Sequence, residues 1–284
     1  MGDLSTYFRA HLSTFVCGRY KKRFGNMALS EITRQDVERF RSSLATELAQ
    51  ATVNRYMALL KSVFNKAIEW GKCKDNPVQR LKQFKETHRV RYLTTEEEET
   101  LQSAFPPEYW PWVEVAFNTG MRRSEQFGLR WENVNFHSKT ITIPMAMAKG
   151  GEMRHIPMND RVADILRNLP SRMKSQWVFM GSNEDKPMDA RNFYQRVFMS
   201  ALKKAKIEDF RWHDLRHTFA SRLVMAGVDI RTVQELMGHK TITITMKYSH
   251  LTPGHRMEAV QRLIQKPTDT TTDTREKQGS AVSS

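Results

Sequence analysis

Residues 213–221 read His-Asp-Leu-Arg-His-Thr-Phe-Ala-Ser, with two histidines and an arginine within five positions. Side chains three and four positions apart are neighbours on a helix, so a helix here places His213, Arg216 and His217 on one face. The pattern predicts that this helix covers residues 213–226. An arginine between two histidines can bind a phosphate, because the planar guanidinium donates two parallel hydrogen bonds to an oxyanion.

Three other stretches contain side chains of the same kind. They are Thr119-Gly120-Met121-Arg122-Arg123-Ser124-Glu125, then Lys149 on a turn next to glycines, and Gly238-His239 followed by Tyr248. The four stretches together supply two arginines, a lysine, two or three histidines and a tyrosine. This set indicates an anion-binding site that also contains an acid, a base and a nucleophile.

The composition limits the class of protein. The 284 residues are enough for two modest domains. Hydrophobic residues make up 39% of the chain and charged residues 27%, which favours folding over disorder. No apolar run approaches the roughly 18 residues of a membrane span. Only Cys17 and Cys73 are present, which excludes a disulfide scaffold and a Cys-rich zinc module. We therefore expect a soluble, intracellular protein with no membrane partner.

The positive charge is concentrated in the first third of the chain. Lys and Arg outnumber Asp and Glu by 45 to 31, which gives a net charge of +14. Residues 1–91 hold 18 basic and 8 acidic residues, a net of +10, whereas residues 92–284 hold 27 and 23, a net of +4. Such an excess favours a polyanion, above all nucleic acid, because each neutralised phosphate releases condensed counterions. A surface charge that only maintains solubility is the alternative.

The first third is predicted to consist of helices. Thr33 and Asp36 form a capping box at the start of one helix, and a second helix runs from about Thr52 to Gly71. Their apolar stripes comprise Val37, Phe40, Leu44 and Leu48 in the first helix and Val53, Tyr56, Leu60, Phe64 and Ala67/Ile68 in the second. The basic residues off the second stripe are predicted to contact a phosphate backbone; they are Arg55, Lys61 and Lys66.

A basic connector that includes Arg89 and Arg91 follows, and both are predicted to contact DNA as well. We place the domain boundary here. The predicted organisation is a helical domain at 1–85, a basic linker at 86–93, a second domain at 94–265 and a disordered tail at 266–284.

The second domain is predicted to contain one hairpin among helices. Ile141, Ile143 and Ile156 lie in short β-rich runs on either side of Lys149, which places this lysine at the turn of an antiparallel hairpin. Further helices are predicted at 161–169, 190–206 and 229–237. Residues 241–245 alternate like a strand but are flanked by helical segments, so the local pattern leaves their conformation open.

In this order the motifs resemble those of the tyrosine recombinases, the phage integrase family. The matching residues are Thr-Gly-Met-Arg-Arg-Ser-Glu, the hairpin Lys, His-Asp-Leu-Arg-His-Thr-Phe-Ala-Ser, Leu-Met-Gly-His and Met-Lys-Tyr-Ser-His, between residues 119 and 250. The basic, helical first third resembles the core-DNA-binding domain of the family. The resemblance implies a mainly α fold with a small antiparallel β-sheet, in which this helical domain and an α+β catalytic domain clamp duplex DNA.

The resemblance also implies a role for each residue of the motifs. Tyr248 would be the nucleophile that attacks a scissile phosphodiester and leaves a 3′-phosphotyrosine. Arg122 and Arg216 would bind the two non-bridging oxygens, and His239 would donate a further hydrogen bond to the same phosphate. His213 would accept or relay the phenol proton, which matters because a phenol has a pKa of about 10.

Three residues complete this implied site. Lys149 would be the general acid that protonates the departing 5′-oxygen, and Glu125 and His217 would support the site. His217 could equally be a core histidine. The covalent intermediate conserves the energy of the phosphodiester bond, so the resemblance implies neither a cofactor, nor ATP, nor a metal.

The function that follows is that of a site-specific DNA recombinase, or integrase, which integrates or excises a phage or a mobile element. The expected partners are double-stranded DNA, a homotetramer on paired recombination sites and a DNA-bending accessory protein. The expected location is the bacterial cytoplasm, in association with the nucleoid.

Three other functions compete with this one. A type IB topoisomerase uses similar chemistry, but such enzymes usually carry Lys or Arg where His213 stands. A non-catalytic DNA-binding regulator would explain the basic first third and leave the second set of residues without a purpose. A zinc hydrolase would use His213 and His217 as ligands, yet Asp214 occupies the place of the general-base glutamate, and Arg216 between the histidines opposes a cation.

Overall fold

The structure is a computed structural model, and it describes residues 14–86, 89–148 and 152–251. The chain divides into two compact units, Met1–His88 and Arg89–Ser284. The domain bounds drawn from the sequence stay a prediction, and the predicted tail lies outside the described residues.

The described part of the first unit is helical. Its elements are α1 (Thr14–Phe24), a short 3-10 turn (Leu29–Glu31), α2 (Arg34–Ala45) and α3 (Gln50–Glu69). The predicted capping box starts α2, because Thr33 Oγ1 accepts the Asp36 N–H at 3.3 Å and the Asp36 carboxylate accepts the Thr33 N–H at 3.2 Å. Gly71 follows α3 at a φ of +67°.

The apolar stripes of α2 and α3 form the core of this unit with few departures from the sequence pattern. The rings of Tyr20, Phe40 and Tyr56 lie 5.5 to 6.5 Å apart, in tilted or edge-on pairs that suit aromatic quadrupoles. Ala67 is buried, whereas Ile68 is 37% exposed, so Ala67 completes the stripe of α3. Leu48 lies beyond the end of α2 and is only partly buried.

The second unit is mainly helical and holds one small sheet. Its elements are α4 (Thr95–Ala104), α5 (Trp110–Thr119), α6 (Arg123–Phe127), a 3-10 turn (Trp131–Asn133), β1 (Val134–Asn135), β2 (Thr140–Ile143), β3 (Arg154–Pro157), α7 (Asp160–Asn168), a 3-10 turn (Pro170–Met173), α8 (Ala190–Asn192), a π-turn (Phe193–Phe198), α9 (Met199–Lys204), α10 (Trp212–Met225), α11 (Ile230–Met237), α12 (Ile242–Thr245) and a 3-10 turn (Met246–Leu251).

The sheet forms where the sequence predicts a hairpin. The strand order is β1-β2-β3 with antiparallel pairing throughout, and Ile141 faces Ile156 across β2 and β3. Ile141, Ile143 and Ile156 are all buried, while their neighbours in sequence face outward, as the period of a pleated strand requires. The structure therefore confirms the predicted fold class, which is mainly α with a small antiparallel sheet.

An aromatic cluster lies behind α10 and fixes its start. Trp212, the first residue of the helix, contacts the rings of Phe127, Phe193 and Phe198 at centroid distances of 5.0 to 5.5 Å. Because Phe193 and Phe198 bound the π-turn between α8 and α9, this contact ties three helical segments together. The histidine and arginine side chains that follow Trp212 therefore project from a rigid base.

Within the stretch 241–245, left open by the sequence, residues 242–245 form a helical turn and only Thr241 before it is extended. Ile242 and Ile244 are both exposed, at 41% and 45%, so the alternation does not correspond to one buried face of a strand. Thr245 is instead the buried residue, and its hydroxyl lies 2.9 Å from His239 Nδ1. This helical turn leads directly into the 3-10 turn that contains Tyr248.

Candidate active site

Helix α10 places the three side chains of the opening motif as predicted, with different degrees of burial. Arg216 and His217 are buried, whereas His213, one turn earlier, is exposed. The imidazole rings of His213 and His217 lie 5.0 Å apart in an edge-on arrangement. The helix thus runs from solvent at His213 into the interior at Arg216.

Arg216 joins the carboxyl-terminal ends of two other helices. Its guanidinium donates to the carbonyl oxygen of Gly120, at the end of α5, and to that of Met237, at the end of α11. The last carbonyls of a helix lack partners within the helix and carry partial negative charge, so they attract a cation. Gly120 sits at a φ of +62°, and a Cβ there would lie 2.4 Å from the Phe219 ring, so this helix end requires glycine.

Arg122 is held by a buried carboxylate. Glu125 is fully buried and accepts the Arg122 backbone N–H at 2.8 Å and its Nη1 at 2.7 Å. The backbone contact is the capping box of α6, in which the third helical residue reaches back to the residue before the helix. Arg122 Nη2 also points to the Gly238 carbonyl oxygen at 3.4 Å. The contact connects the two motifs across the site.

A third arginine, Arg154 on β3, completes the ion-pair network around Glu125. Its two Nη atoms donate to Oε1 and Oε2 of Glu125 at 2.7 and 2.8 Å. These hydrogen bonds from Arg154, together with those from Arg122, lower the pKa of Glu125 to about 2 against the opposing effect of burial. Glu125 is therefore ionised at neutral pH.

His239 directly follows Gly238 and is half-buried. Burial, reinforced by the positive charges of Arg216 and Lys247, lowers the pKa of His239 to about 3, so the ring is neutral at physiological pH. Its Nδ1 lies 2.9 Å from the Thr245 hydroxyl. With that hydroxyl as donor, the ring proton resides on Nε2, which is then available to donate to an anion.

Tyr248 is fully buried, and its hydroxyl is 2.5 Å from Nδ1 of His217. Burial, first, and then the charges of Lys247 and His213 lower the pKa of His217 to about 3. The neutral imidazole therefore accepts the phenol proton in a hydrogen bond. Burial raises the pKa of Tyr248 above that of a free phenol, although the charge of Arg216 acts in the opposite direction. In this structure the phenol is thus held protonated.

The site carries more positive than negative charge. Glu125 pairs with the guanidinium groups of Arg122 and Arg154, and its charge also acts on Arg216, which leaves an excess of two positive charges among these four groups. Burial and the charges of Arg122 and Arg154 lower the pKa of Arg216 to about 9, and the group remains charged at neutral pH. A cavity of about 290 Å³ opens between Arg122, Arg154 and His239. Such a cavity favours an anion.

The structure thus brings together most of the residues predicted for catalysis. Arg122, Arg216, His239 and Tyr248 converge with the supporting residues Glu125 and His217, and His213 lies one turn away from His217. Lys149 lies outside the described residues, so its predicted role as general acid stays a prediction. His217 is neither a surface residue nor a purely apolar core residue, because it contacts the phenol directly.

The predicted DNA-binding residues differ in their surroundings. Arg55 and Lys61 are exposed on α3, as the stripe pattern predicts, and Lys66 pairs with Glu69 at 2.5 Å. Arg89 pairs with Asp209 at 2.8 Å and with Asp214 at 3.3 Å, both within the second unit.

Arg91 likewise belongs to the second unit rather than to a free linker. It donates to Oε2 of Glu97 at 2.7 Å, and its guanidinium lies 5.4 Å from the Phe210 ring centroid. A phosphate contact by Arg89 or Arg91 would compete with these carboxylates. The predicted DNA-binding role of the five residues stays a prediction.

Sequence reasoning missed two basic residues beside the site. Arg154 occupies the same strand face as buried Ile156, and an arginine at a core-facing position requires a buried acid, which was a usable signal. Lys247 precedes the tyrosine, and its Nζ lies 5.0 Å from the Tyr248 ring centroid. Burial lowers the pKa of Lys247.

This arrangement defines a class of chemistry. A phenol on which the charge of Arg216 acts, in a site whose arginines can neutralise a phosphate, suits nucleophilic attack on a phosphodiester. Among the residues that the structure describes, no three His, Cys, Asp or Glu side chains are grouped so that they could hold a metal ion.

Comparison with known proteins gives the family. The phage integrase family matches residues 79–255, and the N-terminal domain of phage integrases matches residues 16–85. The chain therefore belongs to the phage integrase family. It is a site-specific tyrosine recombinase, an enzyme that transfers DNA strands.

Two curated relatives and one solved structure illustrate this similarity. The integrase of Salmonella phage P22 is 31% identical over 225 residues, which cover 76% of this chain and 58% of the relative. A tyrosine recombinase of Thermosipho africanus is 29% identical over 247 residues, covering 83% and 86%. The Tn1549 transposon integrase in complex with a circular intermediate DNA superposes with a TM-score of 0.71 at 19% identity, over 92% of this chain and 97% of that one. At this identity the superposition establishes the fold alone.

Within the part of the chain that the structure describes, no helix combines the length and the apolar character of a membrane span.

Proposed function

We propose that the chain cuts and rejoins duplex DNA through a covalent bond between Tyr248 and a 3′-phosphate. The observation that supports this most strongly is the hydrogen bond of the buried Tyr248 hydroxyl to His217. His217 directly follows Arg216, whose guanidinium contacts the ends of α5 and α11. In the sequence, Arg122 comes shortly after the end of α5 and His239 shortly after the end of α11. Nucleophile and anion-binding groups therefore share one place in the fold.

The groups divide the reaction between them. Tyr248 Oη attacks the phosphorus, its proton passes to solvent or to a base through His213, and the bond to the 5′-oxygen breaks. Arg122, Arg216 and the Nε2 of His239 stabilise the charge on the non-bridging oxygens, which is greatest in the transition state. Lys149 gives a proton to the departing 5′-oxygen, which leaves as a 5′-hydroxyl. Rejoining reverses these steps with a 5′-hydroxyl from another strand.

The hydrogen bond between Tyr248 and His217 represents the resting form of the nucleophile. A phenol with an unshifted pKa of about 10 already requires roughly 4 kcal/mol to ionise at pH 7. Burial raises the pKa of Tyr248 further. We infer that a bound phosphodiester must draw the phenol from His217 towards Arg216, whose charge favours the phenolate.

The partners follow from the reaction. Exchange between two duplexes requires four strand cleavages, and one tyrosine per protomer then requires four protomers. We therefore propose a homotetramer on two paired sites, acting in the integration or excision of a phage or mobile element. A DNA-bending accessory protein and a location in the bacterial cytoplasm at the nucleoid belong to the same proposal. Arg55, Lys61, Lys66, Arg89 and Arg91 are proposed to contact the DNA backbone.

The test is covalent capture. Purified chain is incubated with fragmented genomic DNA, adducts are recovered under denaturing conditions, and the attached ends are sequenced. We expect adducts at one shared sequence for the wild-type chain and for Tyr194→Phe, which keeps the stacking of that ring on Phe198 at 5.8 Å. The Tyr248→Phe variant should bind the captured duplex and form no adduct. An adduct that survives in Tyr248→Phe would refute the assignment.

Product analysis on two captured duplexes then separates this proposal from a topoisomerase. Exchange of strands between duplexes supports recombination, whereas relaxation of one supercoiled circle without exchange contradicts it.

A further inference from the structure

Arg154 lies at the start of β3, on the strand that leaves the hairpin. Its side chain is only 12% exposed, although it is charged. Both Nη atoms are engaged by Glu125, at 2.7 and 2.8 Å, in the parallel geometry that a planar guanidinium makes with a carboxylate. A bidentate pair of this kind fixes the orientation of both groups.

Glu125 transmits that orientation to Arg122. Oε1 receives Nη1 of both arginines, and Oε2 receives Nη2 of Arg154 together with the backbone N–H of Arg122. The Arg122 guanidinium makes only one further contact within the described residues, the 3.4 Å contact from Nη2 to the Gly238 carbonyl. The carboxylate is therefore the main restraint on Arg122.

Arg154 also packs against the segment that carries His239. A Cβ on Gly238 would lie 2.6 Å from Cδ and 2.9 Å from Nε of Arg154, so the arginine stem covers this glycine. Gly238 has a φ of +60°, which places it in the left-handed region. One side chain thus contacts the carboxylate that restrains Arg122 and the residue before His239.

We propose that Arg154 is a positioning residue for strand cleavage, whose bidentate pair with Glu125 holds Arg122 in the pose that meets the scissile phosphate. This inference rests on the proposed function. Because Arg154 extends from the hairpin strand, the same contact couples the position of that strand to the phosphate-binding arginine. A lysine at 154 would keep the charge and lose the second hydrogen bond, since an ammonium group is a point donor.

The test compares Arg154→Lys with the wild-type chain in single-turnover adduct formation. The substrate is the duplex obtained by covalent capture, nicked next to the scissile phosphate so that the adduct is trapped. We expect the rate to fall about 100-fold, the effect of a misplacement of about 1 Å at a reacting centre. The Kd for the same duplex without the nick should stay within about twofold, because Arg154 itself does not contact DNA in this proposal.

A second substrate distinguishes positioning from general structural support. In it a neutral methylphosphonate replaces the scissile phosphate, so Arg122 has less charge to neutralise. We expect the rate ratio between wild type and Arg154→Lys to shrink to within about threefold on this substrate. An equal ratio on both substrates would refute the positioning role, as would an Arg154→Lys variant that cleaves the natural phosphodiester at the wild-type rate.

Two further variants test whether general damage to the fold explains a slow Arg154→Lys variant. Arg161→Lys removes another arginine–carboxylate pair, in which Nε and Nη2 of a 62% exposed arginine donate to Glu114 at 3.0 and 2.9 Å, and it should cleave within about twofold of wild type. The double variant Arg154→Gln with Glu125→Gln leaves no unpaired charge between these two residues and should be no slower than Glu125→Gln alone. If the rate loss of the double variant equals the product of the rate losses of the two single variants, the two residues act independently and the inference is contradicted.

Failure of the inference and failure of the proposed function give different results. If the wild-type chain forms no adduct on any DNA, the proposed function is refuted. If the wild type forms the adduct and Arg154→Lys does so equally fast, only the positioning role is refuted.

Discussion

The buried carboxylate of Glu125 makes the acid sensitivity of the second unit predictable. Its pKa is lowered from 4.5 in an unfolded chain to about 2 in the fold, chiefly through hydrogen bonds from Arg154 that overcome burial. A group with a lowered folded pKa contributes stability that is complete above its unfolded pKa and is lost as the pH falls towards the folded value. The pH range over which this stability is lost therefore runs from 4.5 down to about 2.

The size of the effect follows from the shift. One pKa unit corresponds to about 1.4 kcal/mol, so the change from 4.5 to about 2 gives roughly 3 kcal/mol at pH 7. At pH 3 the carboxylate is mostly ionised in the folded state and mostly protonated in the unfolded chain, so somewhat less than half of this contribution remains. Replacing Glu125 by Gln removes the charge and with it this contribution. We expect Glu125→Gln to reduce the free energy of unfolding by about 3 kcal/mol at pH 7 and by about half that at pH 3.

The assay is urea unfolding followed by tryptophan fluorescence at several pH values. Five of the six tryptophans lie in the second unit, and only Trp70 lies in the first, so the signal reports mainly on the unit that contains Glu125. Glu114→Gln is the matched control: Glu114 is only 13% exposed, but its partner Arg161 is 62% exposed, so solvent screens the pair and we expect a loss of less than about 1 kcal/mol. A Glu125→Gln variant that loses the same free energy at pH 7 and pH 3, or less than about 1 kcal/mol at pH 7, would refute the reasoning.

Two other predictions concern the backbone and the DNA contacts. Gly120→Ala forces an L side chain into a φ of +62° and against Phe219, so we expect the free energy of unfolding in urea to fall by about 2 to 4 kcal/mol. Gly18→Ala, on an exposed position of α1 with open space around it, should instead stabilise the chain by up to about 1 kcal/mol. Equal effects of the two changes would contradict the strain argument. Arg55→Ala and Lys61→Ala should each reduce the slope of log K against log salt for duplex binding by about 1, and an unchanged slope would show that these exposed side chains do not contact phosphates.

The sequence predicted those features that depend on a few neighbouring residues. The capping box of Thr33, the stripe of α3 and the face shared by Arg216 and His217 all follow from helical periodicity and local hydrogen bonds. The hairpin followed from alternating isoleucines. Residues 241–245 could not be predicted in this way, because their alternation fits a strand, whereas the buried contact of Thr245 with His239 selects a helical turn.

Motif order predicted which residues belong to the site, and the tertiary structure decided what each one contacts. Arg154 meets Glu125 across 29 positions of sequence, Arg122 meets Gly238 across 116, and His217 meets Tyr248 across 31. Such contacts depend on how α6, β3, α10 and α11 pack, which no local pattern encodes. The phenol's burial, and hence its protonated resting form against His217, is likewise a product of packing, since burial shifts a pKa only after the surrounding core has formed.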